Sequence, residues 1–305
     1  MKKVLLTGAS GFIARNCIQL LQNKNYDIHA VTSGTKGKPP GDKNVTWHQV
    51  DLLNELAVSE LLRSVKPTHL LHFGWYTEHG KFWSGEENLA WTKSTIQLLK
   101  EFKKNGGRRI VGAGTCAEYD WRYGYCSENV TPLNSSSLYG RCKNAIRSIA
   151  QEYAALNDLS FAWGRIFFLY GPNENPKRLI AYVISTLLQN KPAHCSHGRQ
   201  IRDFIHVADV ADAFVTLLDS EVEGPVNIAS GNPLPIRNIT ERIGEKLNRQ
   251  ELIQYDYGPG KPEDPPLLAA DVQRLQNELH WNPRFNIDKG LENTINWWKN
   301  NLKAV

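Results

Sequence analysis

Apolar residues in the first half of the chain fall into short runs, each followed by a polar or glycine-bearing turn and then by a helical spacing. Val4-Leu5-Leu6 is the first run, and it passes through Thr7-Gly8-Ala9-Ser10-Gly11-Phe12-Ile13-Ala14 into apolar positions at Ile18 and Leu21. Further runs stand at 28–32, 45–50, 69–73 and 109–111, with helical patterns at 56–65 and 86–104. Short apolar runs bounded by turns read as buried strands, and apolar spacings of three and four as amphipathic helices. Their regular alternation predicts an α/β fold built on a doubly wound parallel sheet.

A strong helix is predicted over 138–156 and a strand over 161–168. Beyond that the character changes: helices at 179–188, 207–218 and 236–247 alternate with short strands and proline-rich loops. The pattern divides the chain into residues 1–168 and a smaller lobe, 169–305, interleaved with the first and not joined to it by a linker. The loop 258–266 holds four prolines and two glycines and is a candidate flap, although a plain connector is the commoner role for such a loop. No internal repeat or low-complexity segment is visible.

The 305 residues are enough for a full core, and 41% apolar with 22% charged content is ordinary for a globular protein. The net charge of +5 suits an anionic small ligand, but no basic run or aromatic-basic stripe points to nucleic acid. Five scattered cysteines, never in a Cys-x-x-Cys pair, fit reduced thiols and argue against a zinc site or a disulfide framework. The first apolar run ends within a few residues and no later run is long enough to span a bilayer, so a soluble, cytoplasmic protein without a membrane partner is expected.

Strand, glycine-bearing turn and helix in that order let backbone N–H groups at a helix N-terminus receive a pyrophosphate. Gly8 and Gly11 allow the tight turn and close approach, and Ala14 is small enough for helix–strand packing. This makes 1–168 a dinucleotide-binding domain of Rossmann type, with 169–305 as the substrate lobe. In NAD-preferring folds an acidic residue ends the second strand. Here the chain reads Thr32-Ser33-Gly34-Thr35-Lys36-Gly37-Lys38, which suits the extra phosphate of NADP; NAD stays possible. Tyr139 and Lys143 stand one helical turn apart, so a phenol and an ammonium share one face. About one such spacing is expected by chance, and Tyr257 with Lys261 supplies it, with Gly258, Pro259 and Gly260 between them forbidding a helix. Thr115 falls just past the fifth strand, where such sheets bind ligands. The aromatics Tyr119, Trp121, Tyr123 and Tyr125 follow it.

These residues resemble the extended short-chain dehydrogenase/reductase family, in the branch that holds nucleotide-sugar epimerases, dehydratases and ketoreductases. The resemblance rests on Thr7-Gly8-x-x-Gly11-x-x-Ala14, Asp51-Leu52, Asn88, Thr115, Tyr139-x-x-x-Lys143 and Tyr170-Gly171-Pro172. It continues through Gly198-x-x-x-Arg202-Asp203-Phe204-Ile205-His206-Val207-x-x-Asp209, Asn227-Ile228-Ala229-Ser230-Gly231, Leu279-x-Trp281-x-Pro283 and Trp297-Trp298, so it covers nearly the whole chain.

The resemblance implies that Tyr139 exchanges a proton with a sugar hydroxyl or carbonyl while the nicotinamide exchanges hydride with the same carbon. Lys143 would lower the phenol's pKa and bond the nicotinamide ribose, and Thr115 would hold the reacting oxygen. The cofactor would lie against Gly8, Ser10, Gly11, Phe12, Ile13, Ser33, Lys38, Asp51, Leu52, Phe73, Gly74, Trp75 and Phe167, besides Tyr139 and Lys143. The sugar nucleotide would lie against Trp75, Asn88, Cys116, Ala117, Phe168 and Arg178, with Arg202 on its diphosphate. A salt bridge from Arg202 to Asp203 or Asp209 is the structural alternative.

Two departures matter. In the family's 4,6-dehydratases an Asp-Glu pair follows the threonine, whereas Cys116-Ala117 stands here and Glu118 is one place late. Phe168 replaces an asparagine that many relatives use on substrate. The resulting expectation is an NADP-dependent 4-ketoreductase or 4-dehydrogenase of a nucleotide-linked sugar. A 4-epimerase with tightly held NAD is the alternative, and a non-catalytic nucleotide-binding regulator a remote one. The resemblance also implies a homodimer formed through the helices at 86–104 and 138–156.

Overall fold

The computed structural model describes residues 2–34, 44–256, 258 and 264–302. Strand β1 (Lys3–Thr7) carries Val4, Leu5 and Leu6 with no exposed surface, the burial of a strand covered on both faces. It is followed by β2 (Asp27–Thr32), β3 (Val45–Gln49), β4 (His69–His72), β5 (Arg109–Thr115), the short β6 (Tyr125–Cys126), β7 (Ser160–Ile166) and β8 (Phe168–Tyr170). Among the described residues the main sheet has seven strands, all parallel, in the order Gly224–Ile228, β7, β5, β4, β1, β2, β3. The order reverses between β1 and β4, and the crevice beyond their carboxyl ends is where such sheets take ligands.

The helices are α1 (Ala14–Asn23), α2 (Glu55–Val65), α3 (Glu87–Lys104), α4 (Leu138–Ala155), α5 (Leu179–Leu188), α6 (Val207–Leu218) and α7 (Ile236–Leu247), before two more near the end of the chain. One apolar core joins α1 and α6 to the sheet through Leu6, Cys17, Leu21 and Phe214. A second joins α2, α3 and α4 through Leu5, Leu62, Phe102, Ile146 and Trp163. Fully burying a side chain such as Phe102 contributes roughly 1.5–3 kcal/mol relative to leaving it exposed.

The second lobe packs α5, α7 and the helix Ile287–Asn301 around Ile184, Ile243 and Trp298. It carries a small sheet ordered Leu234–Pro235, Ile201–Arg202, Leu267–Ala270, β6. The two halves of the chain interleave: β6 pairs with Leu267–Ala270, Gly224–Ile228 pairs with β7, and α6 packs with α1 on the main sheet.

Two departures from the sequence pattern follow from strand pairing. The strand expected at 109–111 runs on to Thr115, because β7 continues to hydrogen-bond it as far as Ile166. The run at 161–168 divides at Phe167, where Phe167 N bonds Ile228 O at 3.1 Å while Phe168–Tyr170 turns to pair with Phe204–His206. Lys36 and Lys38, the Tyr257/Lys261 pair and most of the candidate flap lie outside the described residues.

Candidate active site

The turn after β1 is shaped by two glycines. Gly8 has φ +66°, and a Cβ there would stand 3.1 Å from Gly74 N and Phe73 C; at Gly11 a Cβ would stand 2.9 Å from Gly8 O. Only bare backbone fits, and it packs directly on the end of β4. Helix α1 then opens at Ile13 without a side-chain cap, with Arg15 N and Asn16 N bonded to Gly11 O and Ile13 O, and such a helix N-terminus favours an anion. Phe12 and Ile13 form this opening. Around it, Ser10 Oγ lies 3.0 Å from Thr32 Oγ1, and Thr7 Oγ1 bonds His72 Nδ1 at 2.7 Å and accepts from Gly74 N at 3.2 Å. Arg15, which no sequence motif marks, donates to Ser10 O at 3.1 Å and Asn173 Oδ1 at 2.8 Å, tying the turn to the segment after β8.

This bare, uncapped cradle fits a dinucleotide pyrophosphate. The described end of β2 reads Thr32-Ser33-Gly34, without a carboxylate; Lys38 lies outside the described residues. Asp51 stands exposed after β3, accepting from Leu53 N at 3.0 Å, and the buried Leu52 accepts from Ser94 Oγ at 2.5 Å. Phe73 packs edge-to-face on Phe214, with ring centroids 4.8 Å apart.

Beside the cradle, Ser137 caps α4 by accepting from Gly140 N at 3.1 Å, and α4 presents Tyr139 and Lys143 one turn apart. Thr115 is the last residue of β5; its Oγ1 accepts from Ala117 N at 3.2 Å and bonds the Tyr139 phenol. The phenol ring meets Phe82 at 5.0 Å and Trp83 at 5.9 Å, both edge-to-face, and Tyr139 N donates to Trp83 O at 3.1 Å. Phe82 and Trp83 had no signal in the sequence beyond being aromatic.

Burial pushes the Tyr139 phenol up, and the Thr115 hydrogen bond and the Arg178 charge pull it back. Lys143 Nζ donates to Ala113 O at 2.9 Å and lies 3.9 Å from the Trp75 ring centroid. Burial pushes Lys143 itself down to about 7, so near neutrality it is only partly charged. Thr115 and Arg178 are the groups that pull the phenol down, and burial outweighs them.

The remaining residues divide by surroundings. Cys116 and Ala117 are buried directly after Thr115, with Cys116 O held by Trp121 Nε1 at 2.9 Å. Tyr119 is in the core, while Tyr123 and Tyr125 are exposed. Arg178 is exposed at the start of α5, with its guanidinium 5.7 Å from the Phe82 ring centroid. Arg202 is 3% exposed, 5.5 Å from the Phe168 ring centroid. Its partners are Asp264, Pro265 O at 2.7 Å and Ile201 O at 2.8 Å, and not the expected Asp203 or Asp209. Those two instead accept backbone N–H bonds from Ser230 and Gly231, and from Arg284 and Phe285.

Two expected contacts are turned away from the crevice. Phe167 points into a core cluster with Cys116, Tyr119 and Cys126. Asn88 has no exposed surface and its amide is fully engaged: it accepts from Trp75 Nε1 at 2.9 Å and donates to Phe82 O and Gly85 O, each at 2.8 Å. Glu118 is likewise committed, accepting from Thr115 N at 2.9 Å, Trp163 Nε1 at 2.8 Å and Arg165 Nε at 2.8 Å.

A doubly wound sheet whose dinucleotide cradle faces a Thr–Tyr–Lys cluster defines a class of nicotinamide-dependent enzyme. Residues 4–229 match the NAD dependent epimerase/dehydratase family, and the chain belongs to it. It is 24% identical over 324 residues to the UDP-glucuronate 4-epimerase of Thermodesulfobacterium geofontis, covering 99% of this chain and 97% of the relative. It is 25% identical to the CDP-abequose synthase of Salmonella typhimurium, covering 96% and 97%. Among solved structures, MoeE5 in complex with UDP-glucuronic acid and NAD superposes with a TM-score of 0.84 at 26% identity, covering 98% of this chain and 99% of that one. The protein is an enzyme of this nucleotide-sugar family.

Proposed function

We propose that the enzyme is a 4-ketoreductase or 4-dehydrogenase of a nucleotide-diphosphate sugar, using NADP(H), in the cytoplasm. The observation that carries this reading is the chemistry around Thr115. Cys116 and Ala117 offer no acid or base for removing water, and Glu118 is spent on Arg165, Trp163 and the Thr115 backbone. Tyr139 is then the proton-transferring group at the site. When bound, the nicotinamide supplies hydride to the sugar C4 carbonyl carbon, or takes it back in the reverse direction. Tyr139 gives its phenolic proton to O4 as the C=O π bond becomes a C–O single bond, and Thr115 Oγ1 holds the same oxygen in line. Lys143 serves the nicotinamide ribose, whereas Arg202, buried and bonded to Asp264, Pro265 O and Ile201 O, would meet a diphosphate only by exchanging those partners. The hydroxyl-rich, carboxylate-free end of β2 supports NADP.

The relatives that are 4-epimerases, and the NAD of MoeE5, support a second reading: a 4-epimerase that retains NAD. One assay separates the two. Purified enzyme with NADPH and a panel of UDP-, dTDP-, GDP- and CDP-linked 4-keto-6-deoxy sugars is expected to lose NADPH absorbance, and Tyr139→Phe to slow this by about 10²–10⁴-fold. Absence of turnover across the panel overturns the reductase reading. NAD carried through purification, with sugar interconversion and no net absorbance change, establishes the epimerase.

A further inference from the structure

Lys143 is 4% exposed, and among the described residues no carboxylate forms an ion pair with it. Its one hydrogen bond is to Ala113 O at 2.9 Å, a neutral acceptor. An acid in its field is Glu118, whose oxygens are held by Arg165, Trp163 and Thr115. The other groups facing it are His72 from β4, Tyr139 from its own helix and Trp163 from β7, 5.6 Å away. His72 is bonded to Thr7 and Thr95 and is pushed down to about 3 by burial, so it stays neutral. What lies directly against the ammonium is the face of Trp75, at 3.9 Å. A buried cation is costly without compensation, and an indole face supplies part of it through its quadrupole.

The indole is fixed in that position. Trp75 Nε1 donates to Asn88 Oδ1 at 2.9 Å, and Asn88 Nδ2 is tied to Phe82 O and Gly85 O. Trp91 packs behind it at 6.4 Å. The same buried amide therefore anchors the ring under Lys143 and the segment whose Phe82 and Trp83 rings wall Tyr139.

We propose that Trp75 is a positioning residue that acts through Lys143: its indole face, pinned by Asn88, holds the ammonium in place and supports its charge where no carboxylate bonds it. This rests on the proposed role of Lys143 in serving a bound dinucleotide. A group whose protonated form is favoured by the ligand binds that ligand best below its own pKa, and affinity falls as pH rises through it.

The test is NADPH affinity, followed by fluorescence between pH 6 and 9, for the wild type, Lys143→Met, Trp75→Phe and Trp75→Leu, with thermal melting to confirm folding. Wild-type affinity is expected to decline as pH rises above about 7. In Trp75→Leu the decline is expected to begin roughly one pH unit lower. Trp75→Phe, which keeps a ring face but loses the N–H, should fall between the two, and Lys143→Met should abolish the decline. A Trp75→Leu profile superimposable on the wild type, while Lys143→Met is flat, overturns the inference alone. A decline that persists in Lys143→Met overturns the role of Lys143 itself. Where Trp75→Leu melts too low to assay, Trp75→Met takes its place: an earlier decline supports the inference and a wild-type profile overturns it.

Discussion

Glu118 and Glu174 are buried carboxyls close to the site. Glu118 has no exposed surface and faces Arg165, also fully buried. Arg165 in turn donates to Tyr119 Oη at 3.0 Å, and Tyr119 to Asn227 Oδ1 at 2.7 Å. Removing the carboxylate strands a buried guanidinium, so Glu118→Leu is expected to cost about 3–5 kcal/mol in urea unfolding, with Glu118→Gln losing less because it still accepts from Thr115 N. Glu174 has the opposite surroundings: Oε2 has no hydrogen-bond partner, and burial raises its pKa to about 8 against the pull of Arg178. For an acid with a raised folded pKa, stability is fully present below the unfolded value and is lost as pH rises through the folded one. Glu174→Gln is therefore expected to stabilise the protein at pH 8.5 relative to the wild type and to do much less at pH 5. Equal effects at both pH values would contradict the burial argument. Neither role was legible in the sequence: Glu118 stood in view after Thr115, but Arg165 is forty-seven positions away and only β5–β7 pairing brings them together.

At the scale of elements, α4 owes its seat to Gly140. A Cβ there would lie 2.1 Å from Ala117 O and 2.2 Å from Ser135 Oγ, and the first of these is backbone that cannot swing aside. Gly140→Ala is expected to push the start of α4 off the Thr115 turn, costing about 1–3 kcal/mol in stability and much more in turnover, since a misplacement of about 1 Å can cost 10²-fold. Turnover falling only in step with the folded fraction would refute it. This requirement sits inside the Tyr-x-x-x-Lys spacing itself, yet a spacing records only that two side chains share a face. The helices were the most legible elements: those at 179–188, 207–218 and 236–247 stand with the bounds their apolar periodicity predicts. Strands were less so, because their ends are decided by partners. The two- to four-residue strands of the second lobe carry too few positions for an alternation to be visible.

Over the whole molecule, the doubly wound sheet was legible from local patterns. The aromatic wall of Phe82, Trp83 and Trp75 was not, because it is assembled by one buried amide. The assembly expectation belongs to this scale as well. Helices α3 and α4 each span 18 residues, about 27 Å. They pack together on one flank of the sheet, and their outer surfaces carry Leu89, Ile149 and Leu156 exposed at 57%, 44% and 78%. Ala90, Ala145 and Ala155 are exposed on the same helices, together with the charged Lys93, Lys100, Arg141 and Glu152. Two such helix pairs related by a two-fold axis would form a four-helix contact of the size a stable dimer needs, roughly 1,200–2,000 Å² in total. Such a contact would be self-complementary, so one substitution would act twice. If the wild type scatters as a dimer through these helices, Ile149→Glu would place two carboxylates in that seam and is expected to shift light scattering to monomer at micromolar concentration. The cradle at Gly8 and the Thr115–Tyr139–Lys143 cluster lie within one chain, so NADPH affinity should be unchanged in that variant. A wild-type protein that scatters as a monomer under the same conditions would remove these two helices from consideration as an interface.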